Sequence, residues 1–420
     1  MKFESVRDFF DTIEKYPHLC TSCGICAGIC PTAAVKIVKN QYSQYVPVFE
    51  EDKCNDCNQC INCCPGIDIT YTQQAGIGVF QKIYLASSGD TAQRSAGSSG
   101  GVITALSAWM LSEGIVGKAI LGNSTQSAVQ PEPGIVTSAG EVLPCSGSKY
   151  VAYPACEAIR EFREKTLITA LPCQARAIRK ARRNKGYVFG LFCSRAFTSD
   201  LIRYICIQES IKLEDIQTIN YRHGGWPGQV AIDTKSQQIR IPYNRSYFTA
   251  ISNGFFFAIQ GCLLCPDYFN EMADISFGDP WGFKPDQELL LGQTIVIART
   301  ARGVELMEKA IANKVIVASE ITEGQVLRGH RSGSYLKKRS TDLRLRKYQE
   351  MGLPLPEHNF DLSRKPTLVQ SFIQNYYIKN NVLLKKNYAK IFTANKLVIF
   401  VKRYFILLLQ KIDLKLSHGH

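Results

Sequence analysis

The sequence predicts an α+β chain in three parts: a cysteine-rich module over residues 1–75, a larger mixed α/β domain over 80–350 and a basic helical tail over 360–420. Three observations carry this reading. One cysteine pattern is written twice before residue 65. From residue 82, strand-like and helix-like segments alternate. The last sixty residues hold eleven Lys or Arg against Asp361 and Asp413, with helical periodicity.

The first part is set by Cys20, Cys23, Cys26 and Cys30 in CTSCGICAGICP, and by Cys54, Cys57, Cys60 and Cys64 in CNDCNQCINCCP. Both read C-x2-C-x2-C-x3-C-P, the spacing of the bacterial ferredoxin run. There three close thiolates hold a [4Fe–4S] cube and the distant fourth ligates the other cube. The expected sets are therefore Cys20, Cys23, Cys26 and Cys64 for one cluster, and Cys54, Cys57, Cys60 and Cys30 for the other. Zinc is the competing reading, but zinc favours cysteine pairs split by a longer loop. Pro31 and Pro65 follow the fourth cysteines and end the local turns. Residues 1–15 read as a short helix, and AVKIVKN and YVPVFEED as short strands flanking the motifs.

After a linker, TQQAGIGVFQ, KIYLASS (82–88) reads as a strand. A Gly/Ser loop then enters a helix over 94–114, with Val102, Leu106, Trp109 and Met110 at helical spacing. KAILGNS and SAVQPEPGIVTS read as strands. LITALPCQARAIRKARRN and YVFGLFCSRAFTSDLIRYICIQ each read as strand, turn and helix. Such alternation predicts a sheet that is at least partly parallel. Residues 217–300 are more irregular and β-rich; 303–313 and 340–350 read as helices.

Four later cysteines stand out. Cys173 closes one strand in ALPCQ and Cys193 the next in GLFCS, while Cys262 and Cys265 form C-L-L-C before Pro266. If the two strands are parallel neighbours, Cys173 and Cys193 emerge at the same carboxyl edge, where open α/β sheets bind ligands. The C-x2-C loop would complete a third [4Fe–4S] set. A four-cysteine zinc site and plain apolar packing of free cysteines remain open alternatives. Cys63, Cys145, Cys156 and Cys206 lack matching partners and read as structural.

Composition bounds the rest. The chain has 420 residues, 45% hydrophobic, enough for two or three domains with real cores. MKFESVRDFF has no apolar signal region, and sixteen cysteines at metal-binding spacings suit a reducing cytoplasm. The net charge is +14, of which +9 lies in residues 361–420; residues 1–70 carry six basic against nine acidic side chains. Charge confined to one tail argues against nucleic-acid binding and for a local partner of that tail. The tail is helical over 366–392 and 395–416. Its polar pairs Asn395/Lys396, Lys402/Arg403 and Gln410/Lys411 fall on one helix face, with Leu, Ile, Phe and Val opposite. The apolar runs are too short to span a bilayer. An interfacial helix on an anionic membrane surface, at the inner face of the cell membrane, competes with a helix packed on the core or a partner.

SAGSSGG (95–101) opens a helix, which suits a phosphate or pyrophosphate, or is simply a flexible turn. There is no G-x-G-x-x-G, so a Rossmann flavin site is not expected. RSAGSSGGVITAL, GSKYV (147–151), LPCQ (171–174), GLFC (190–193), CLLCPD (262–267) and ADISFGDPWG (273–282), in that order, resemble the coenzyme F420 hydrogenase/dehydrogenase beta-subunit family. The resemblance covers about residues 16–310 together with the cysteine module, and leaves the tail outside. It implies a non-covalent FAD in the large domain, a nearby [4Fe–4S] cluster, and hydride exchange with a substrate. By position, Cys173, Cys193, Cys262 and Cys265 would hold that cluster. Ser95, Ser99, Gly100, Gly101 and Thr104 would lie against the FAD phosphates, and Lys149 and Tyr150 would approach the isoalloxazine. Asp279 reads as a structural carboxylate rather than a proton handler.

The fold class expected is thus a ferredoxin-like 2[4Fe–4S] module, a mixed α/β FAD-binding domain and a helical tail. The function expected is an iron–sulfur flavoprotein oxidoreductase. It would move electrons between a ferredoxin-like or other redox protein and a small two-electron substrate, either coenzyme F420, a deazaflavin, or another small molecule. An electron-transfer subunit of a larger complex, or a redox enzyme serving polysaccharide synthesis, is the alternative. No catalytic residue is singled out.

Overall fold

A computed structural model describes residues 1–70, 76–182, 185–381, 392 and 395–416. The fold is mixed α+β with a cysteine-rich N-terminal part. Helix α1 (Val6–Lys15) starts at Ser5, whose side chain accepts from the Asp8 N–H at 3.1 Å, and buries Val6, Phe9, Phe10 and Ile13. The two cysteine motifs then fold alike. Helices α2 (Ile25–Ile29) and α3 (Gln59–Cys63) each follow a left-handed residue, Gly24 (φ 83) and Asn58 (φ 56). Each ends on a fourth cysteine, Cys30 (φ −65) or Cys64 (φ −67). The sequence repeat is therefore a repeat of backbone path. The two expected short strands, β1 (Val35–Lys39) and β2 (Tyr45–Phe49), pair antiparallel as a hairpin between the motifs.

The larger part is built on an eight-stranded sheet of order β13-β3-β12-β11-β7-β6-β4-β5. Its strands are β3 (Lys82–Ser88), β4 (Lys118–Asn123), β5 (Glu132–Val136), β6 (Thr166–Ala170), β7 (Tyr187–Leu191), β11 (Ile275–Gly278), β12 (Thr294–Ala298) and β13 (Ile316–Glu320). β4, β6, β7 and β11 are parallel neighbours. β3 runs the same way, since two antiparallel pairings through β12 separate it from β11. Five strands thus end on one edge. Helix α4 (Thr91–Ala96) precedes the Gly/Ser loop, and α5 (Val102–Ser112) follows it. The loop-then-helix reading of 94–114 thus gains a helical turn at its start. Val102, Leu106 and Met110 of α5 and Leu306 and Met307 of α10 (Ala301–Ala312) are buried in one core against the sheet. Each such side chain contributes roughly 1.5–3 kcal/mol. α6 (Pro172–Lys180) packs in a second core with Val188 of β7.

The irregular β-rich region is a separate antiparallel sheet of β8 (Ile216–His223), β9 (Gln229–Thr234) and β10 (Gln238–Pro242). It shares the largest core with α7 (Asp200–Glu209), α8 (Tyr247–Asn253) and the tail.

The tail gives helices Leu368–Asn381 and Lys396–Leu416; part of the expected 366–392 helix, and residues 71–75 of the linker region, lie outside the described residues. Its second helix turns a mixed face inward, burying Ile399 and Ile406 beside Arg403, Gln410 and Asp413, while Lys396, Lys402 and Lys411 of the expected polar face stay exposed. Arg403 and Gln410, both buried, donate to the Tyr377 hydroxyl at 3.0 and 2.7 Å, and Gln370 donates to buried Asp413 at 3.2 Å. Leu397, Val398, Val401, Phe405 and Leu408 face solvent, each at least half exposed. No described helix is long and apolar enough to cross a membrane.

Candidate functional site

The duplicated helices bring the N-terminal thiols into two groups. Burial, then repulsion from Cys23, Cys20, Cys64 and Cys60, holds the Cys26 thiol well above its ordinary value. Burial likewise raises Cys20, which also feels Cys23 and Cys64. Cys60 is pushed up to about 12 by burial, with Cys57 and Cys30 acting on it, and Cys54 is raised by burial with Cys30 acting on it. The thiols that act on one another are thus those of the crossed ferredoxin pairing, and Cys26 and Cys60 join the two groups. Cys20, Cys23, Cys26 and Cys64 also line one small void, closed by Phe9, Ile13 and Ile37. Backbone N–H groups aim at sulfur: Ser22 to Cys20 at 3.4 Å, Asp56 to Cys54 at 3.3 Å and Ala34 to Cys30 at 3.3 Å. Thiolates crowded in a dry pocket need these donors and a cationic core to stay together. The donor set therefore fits iron–sulfur clusters.

A third group forms at the sheet edge. The parallel pairing of Ala170 with Gly190 brings the ends of β6 and β7 side by side. Cys173 lies inside the first turn of α6, behind Pro172, rather than closing the strand; Cys193 lies two residues beyond β7. A helix N-terminus favours a thiolate. Burial, then Cys265, Cys23, Cys262 and Cys193, holds the Cys173 thiol well above its ordinary value. The Ala196 N–H donates to Cys262 sulfur at 3.4 Å. Among the described residues no three Cys, His, Asp or Glu side chains close to the spacing of a single bound ion; ligands at the corners of a cube are spaced more widely.

Cys156 joins the first and third groups. It is fully buried, and its N–H donates to the Cys23 carbonyl at 2.9 Å. Its thiol is held well above its ordinary value, first by a hydrogen bond with Cys23, whose own thiol is lowered by that bond. The Cys156 S–H donates to the Gln174 carbonyl at 3.8 Å. Cys173 and Cys26 also act on the Cys156 thiol.

Beside the third group lies a cavity of about 330 Å³, within the range of small-molecule and cofactor sites. It is walled by the ends of β4, β6, β7 and β11, by the Gly/Ser loop, and by Arg222 and Tyr243 from the smaller sheet. The loop is pinned from below. Ser99 Oγ and Thr294 Oγ1 are 2.8 Å apart, and the Gly100 N–H donates to Thr294 Oγ1 at 2.9 Å. Gly101 (φ 69) makes the left-handed turn into α5, and a Cβ there would meet the Gln93 carbonyl at 2.4 Å. Ser107 Oγ, one turn into α5, and Arg222 Nη2 are buried without a partner among the described residues. Orphaned donors on a cavity wall beside a helix N-terminus fit a flavin nucleotide with anionic phosphates.

Of the residues expected at the flavin, Ser99, Gly101, Thr104, Lys149 and Tyr150 line the cavity. Ser95 is exposed on α4, and Gly100 sits behind the wall. Lys149 donates to the carbonyls of Cys145, Ser146 and Gly147, bracing its own loop, and burial lowers its ammonium to about 8. Tyr150 donates to the Tyr243 hydroxyl at 2.9 Å. Asp279 takes an ion pair from Arg222 at 2.6 Å. The Arg222 guanidinium lies 4.3 Å from the Tyr243 ring centre. Burial pushes His330 down to about 4, so it is neutral near pH 7. Its Nδ1 accepts from the Tyr268 hydroxyl and its Nε2–H donates to the Asp279 carbonyl, both at 2.9 Å. Arg195, Arg222, Tyr243, Trp281 and His330 were not expected in this wall. Trp281 sat within a quoted motif and Arg195 two residues past Cys193, but nothing local marks Arg222 or Tyr243.

The N-terminal and C-terminal profiles of the coenzyme F420 hydrogenase/dehydrogenase beta subunit match residues 83–160 and 163–324, more than half of the chain. The chain belongs to that beta-subunit family. Membership of the family sets it among redox proteins with iron–sulfur clusters. The coenzyme F420 hydrogenase subunit beta of Methanothermobacter thermautotrophicus is 27% identical over 302 residues, 67% of this chain and 99% of that protein. Ferredoxin-1 of Rhodobacter capsulatus is 41% identical over 54 residues, 11% of this chain and 75% of that protein. The fold is similar to a chain of the F420-reducing [NiFe] hydrogenase complex from Methanosarcina barkeri. The TM-score is 0.53 at 23% identity, covering 68% of this chain and 98% of that one.

Proposed function

We propose that this beta-subunit family member moves electrons between two [4Fe–4S] clusters in residues 1–75 and FAD in the cavity over residues 80–350, through a third cluster held by Cys173, Cys193, Cys262 and Cys265. In that cavity a small organic substrate, coenzyme F420 or another two-electron carrier, is oxidised or reduced. The observation that carries this is the continuity of the thiol groups. Cys60 adjoins Cys26, Cys156 bridges Cys23 and Cys173, and Cys193 stands in the cavity wall. The clusters would supply single electrons and the flavin the exchange between single electrons and pairs. The chain's own residues bind and orient. The Ser99–Thr104 turn offers N–H groups to phosphates, Lys149 keeps its loop shut, and the Arg222–Asp279 pair fixes one wall beside Tyr243. His330, neutral, locks Tyr268 against Asp279 and carries no charge into the cavity.

The acidic N-terminal part would meet a ferredoxin-like or other redox partner through charge. The outward apolar face of the terminal helix supports attachment to an anionic membrane surface. Lys402 and Lys411 are exposed on either side of the stripe Leu397, Val401, Phe405 and Leu408, which suits a helix lying among headgroups.

Anaerobic addition of reduced coenzyme F420 to the isolated chain tests the substrate reading. Bleaching of one flavin per chain is the expected result. Flavin that responds only to electrons delivered through the clusters contradicts it and leaves an electron-transfer subunit of a larger redox complex.

A further inference from the structure

The third cysteine group is surrounded by buried positive charge that no carboxylate answers. Lys337 is 1% exposed. It sits in a π-helical turn, Tyr335–Arg339, a rare conformation common at functional sites. The turn swings its ammonium onto the Cys262 carbonyl at 2.6 Å. Arg195, two residues past Cys193, donates to the Ser252 carbonyl and to Asn253 Oδ1 at 2.9 Å; its Nε is buried without a partner among the described residues. Burial raises the Cys193 and Cys262 thiols, and Lys337 and Arg195 are the cations near enough to act against it.

The nearby carboxylates are otherwise engaged. Glu271 pairs with Lys338 at 2.5 Å, Asp279 with Arg222, and Asp267 feels Arg299 and Arg176. Among the described residues no carboxylate forms an ion pair with Lys337 or Arg195. An uncompensated buried cation is strongly destabilising, so the fold is balanced only if an anion belongs beside them. Four thiolates around a [4Fe–4S] core of charge about +2 leave a net charge of about −2. They are the only set of that kind within reach among the described residues.

We propose that Lys337 and Arg195 are the counter-charges of the cluster held by Cys173, Cys193, Cys262 and Cys265. Through space they raise its reduction potential. This rests on the three-cluster reading given above. Each added electron makes the cluster more negative, so a fixed cation stabilises the reduced state more than the oxidised one. Lys337 is a positioning residue held on the Cys262 carbonyl outside the cavity lining, whereas Arg195 also stands in the cavity wall.

The test is a redox titration followed by electron paramagnetic resonance on the full chain, with iron counted in every sample. In Lys337→Gln the third cluster's midpoint shifts negative while the two N-terminal clusters stay put; Lys337→Arg keeps the native value. Loss of about four irons in Lys337→Gln, restored in Lys337→Arg, also supports the proposal. An unchanged midpoint in Lys337→Gln at full iron content overturns it, as does equal iron loss in both variants, which marks a packing defect. Arg195→Gln gives an independent second shift. Only about eight irons in the wild type, or zinc at the third group, overturns the cluster reading itself, whatever the variants do.

Discussion

Serine at both Cys262 and Cys265 removes about four of about twelve irons per chain and stops electrons passing between the N-terminal clusters and the flavin. The reason is geometric. Cys262 and Cys265 reach the group from one short loop, whose carbonyls at Cys262 and Leu263 are gripped by Lys337 and Arg344. The loop is held in place, so a serine there is not replaced by a shift of backbone. Cys173 and Cys193 alone leave half a ligand set beside the cavity. Flavin stays bound, because none of its cradle is altered, and direct reduction of the flavin by its small substrate survives. Rapid-mixing absorbance with a reduced ferredoxin checks this. Unchanged flavin reduction by ferredoxin in the double variant contradicts the relay.

Reversing the outer face of the terminal helix abolishes vesicle binding. Val401, Phe405 and Leu408 are 60%, 51% and 55% exposed, so glutamate at all three leaves the fold intact. Half-burying three such side chains is worth roughly 3 kcal/mol, and that loss alone weakens binding roughly 100-fold. Added repulsion from anionic headgroups deepens it. Co-sedimentation with vesicles of phosphatidylglycerol and phosphatidylcholine reads the effect. Wild-type binding falls as salt rises, since the flanking lysines contribute through screened charge. Equal sedimentation of wild type and triple variant, or none by the wild type, contradicts membrane attachment. A wild type that instead pairs with itself in solution identifies a second copy of the chain as the cover of this face.

Some of this architecture was legible in the residues. The C-x2-C-x2-C-x3-C-P repeat names its thiols because the spacing is local and the left-handed residues Gly24 and Asn58 recur with it. The shared edge of Cys173 and Cys193 followed from strand–helix alternation, which forces parallel neighbours. The segments that failed are those without a local signal. Arg222 and Tyr243 reach the cavity from a three-stranded sheet whose docking is a tertiary event. Lys337 is turned inward by one π-helical turn, which ordinary helical spacing does not foresee. Lys149, expected at the flavin ring, lines the cavity and donates to three carbonyls of its own loop, contacts that its spacing did not announce. In the terminal helix, periodicity separated a polar from an apolar face, but the inward face mixes Arg403 and Gln410 with Ile399 and Ile406, and Lys402 and Lys411 stay outside. The Tyr377 hydroxyl takes both Arg403 and Gln410.

The account turns on three clusters and one flavin in a single chain. The iron, acid-labile sulfide and flavin content of protein purified without oxygen measures this directly. About twelve irons, as many sulfides and one FAD per chain is the predicted result. About eight irons with no flavin contradicts it, and reduces the large domain to a scaffold that docks the N-terminal clusters against another protein.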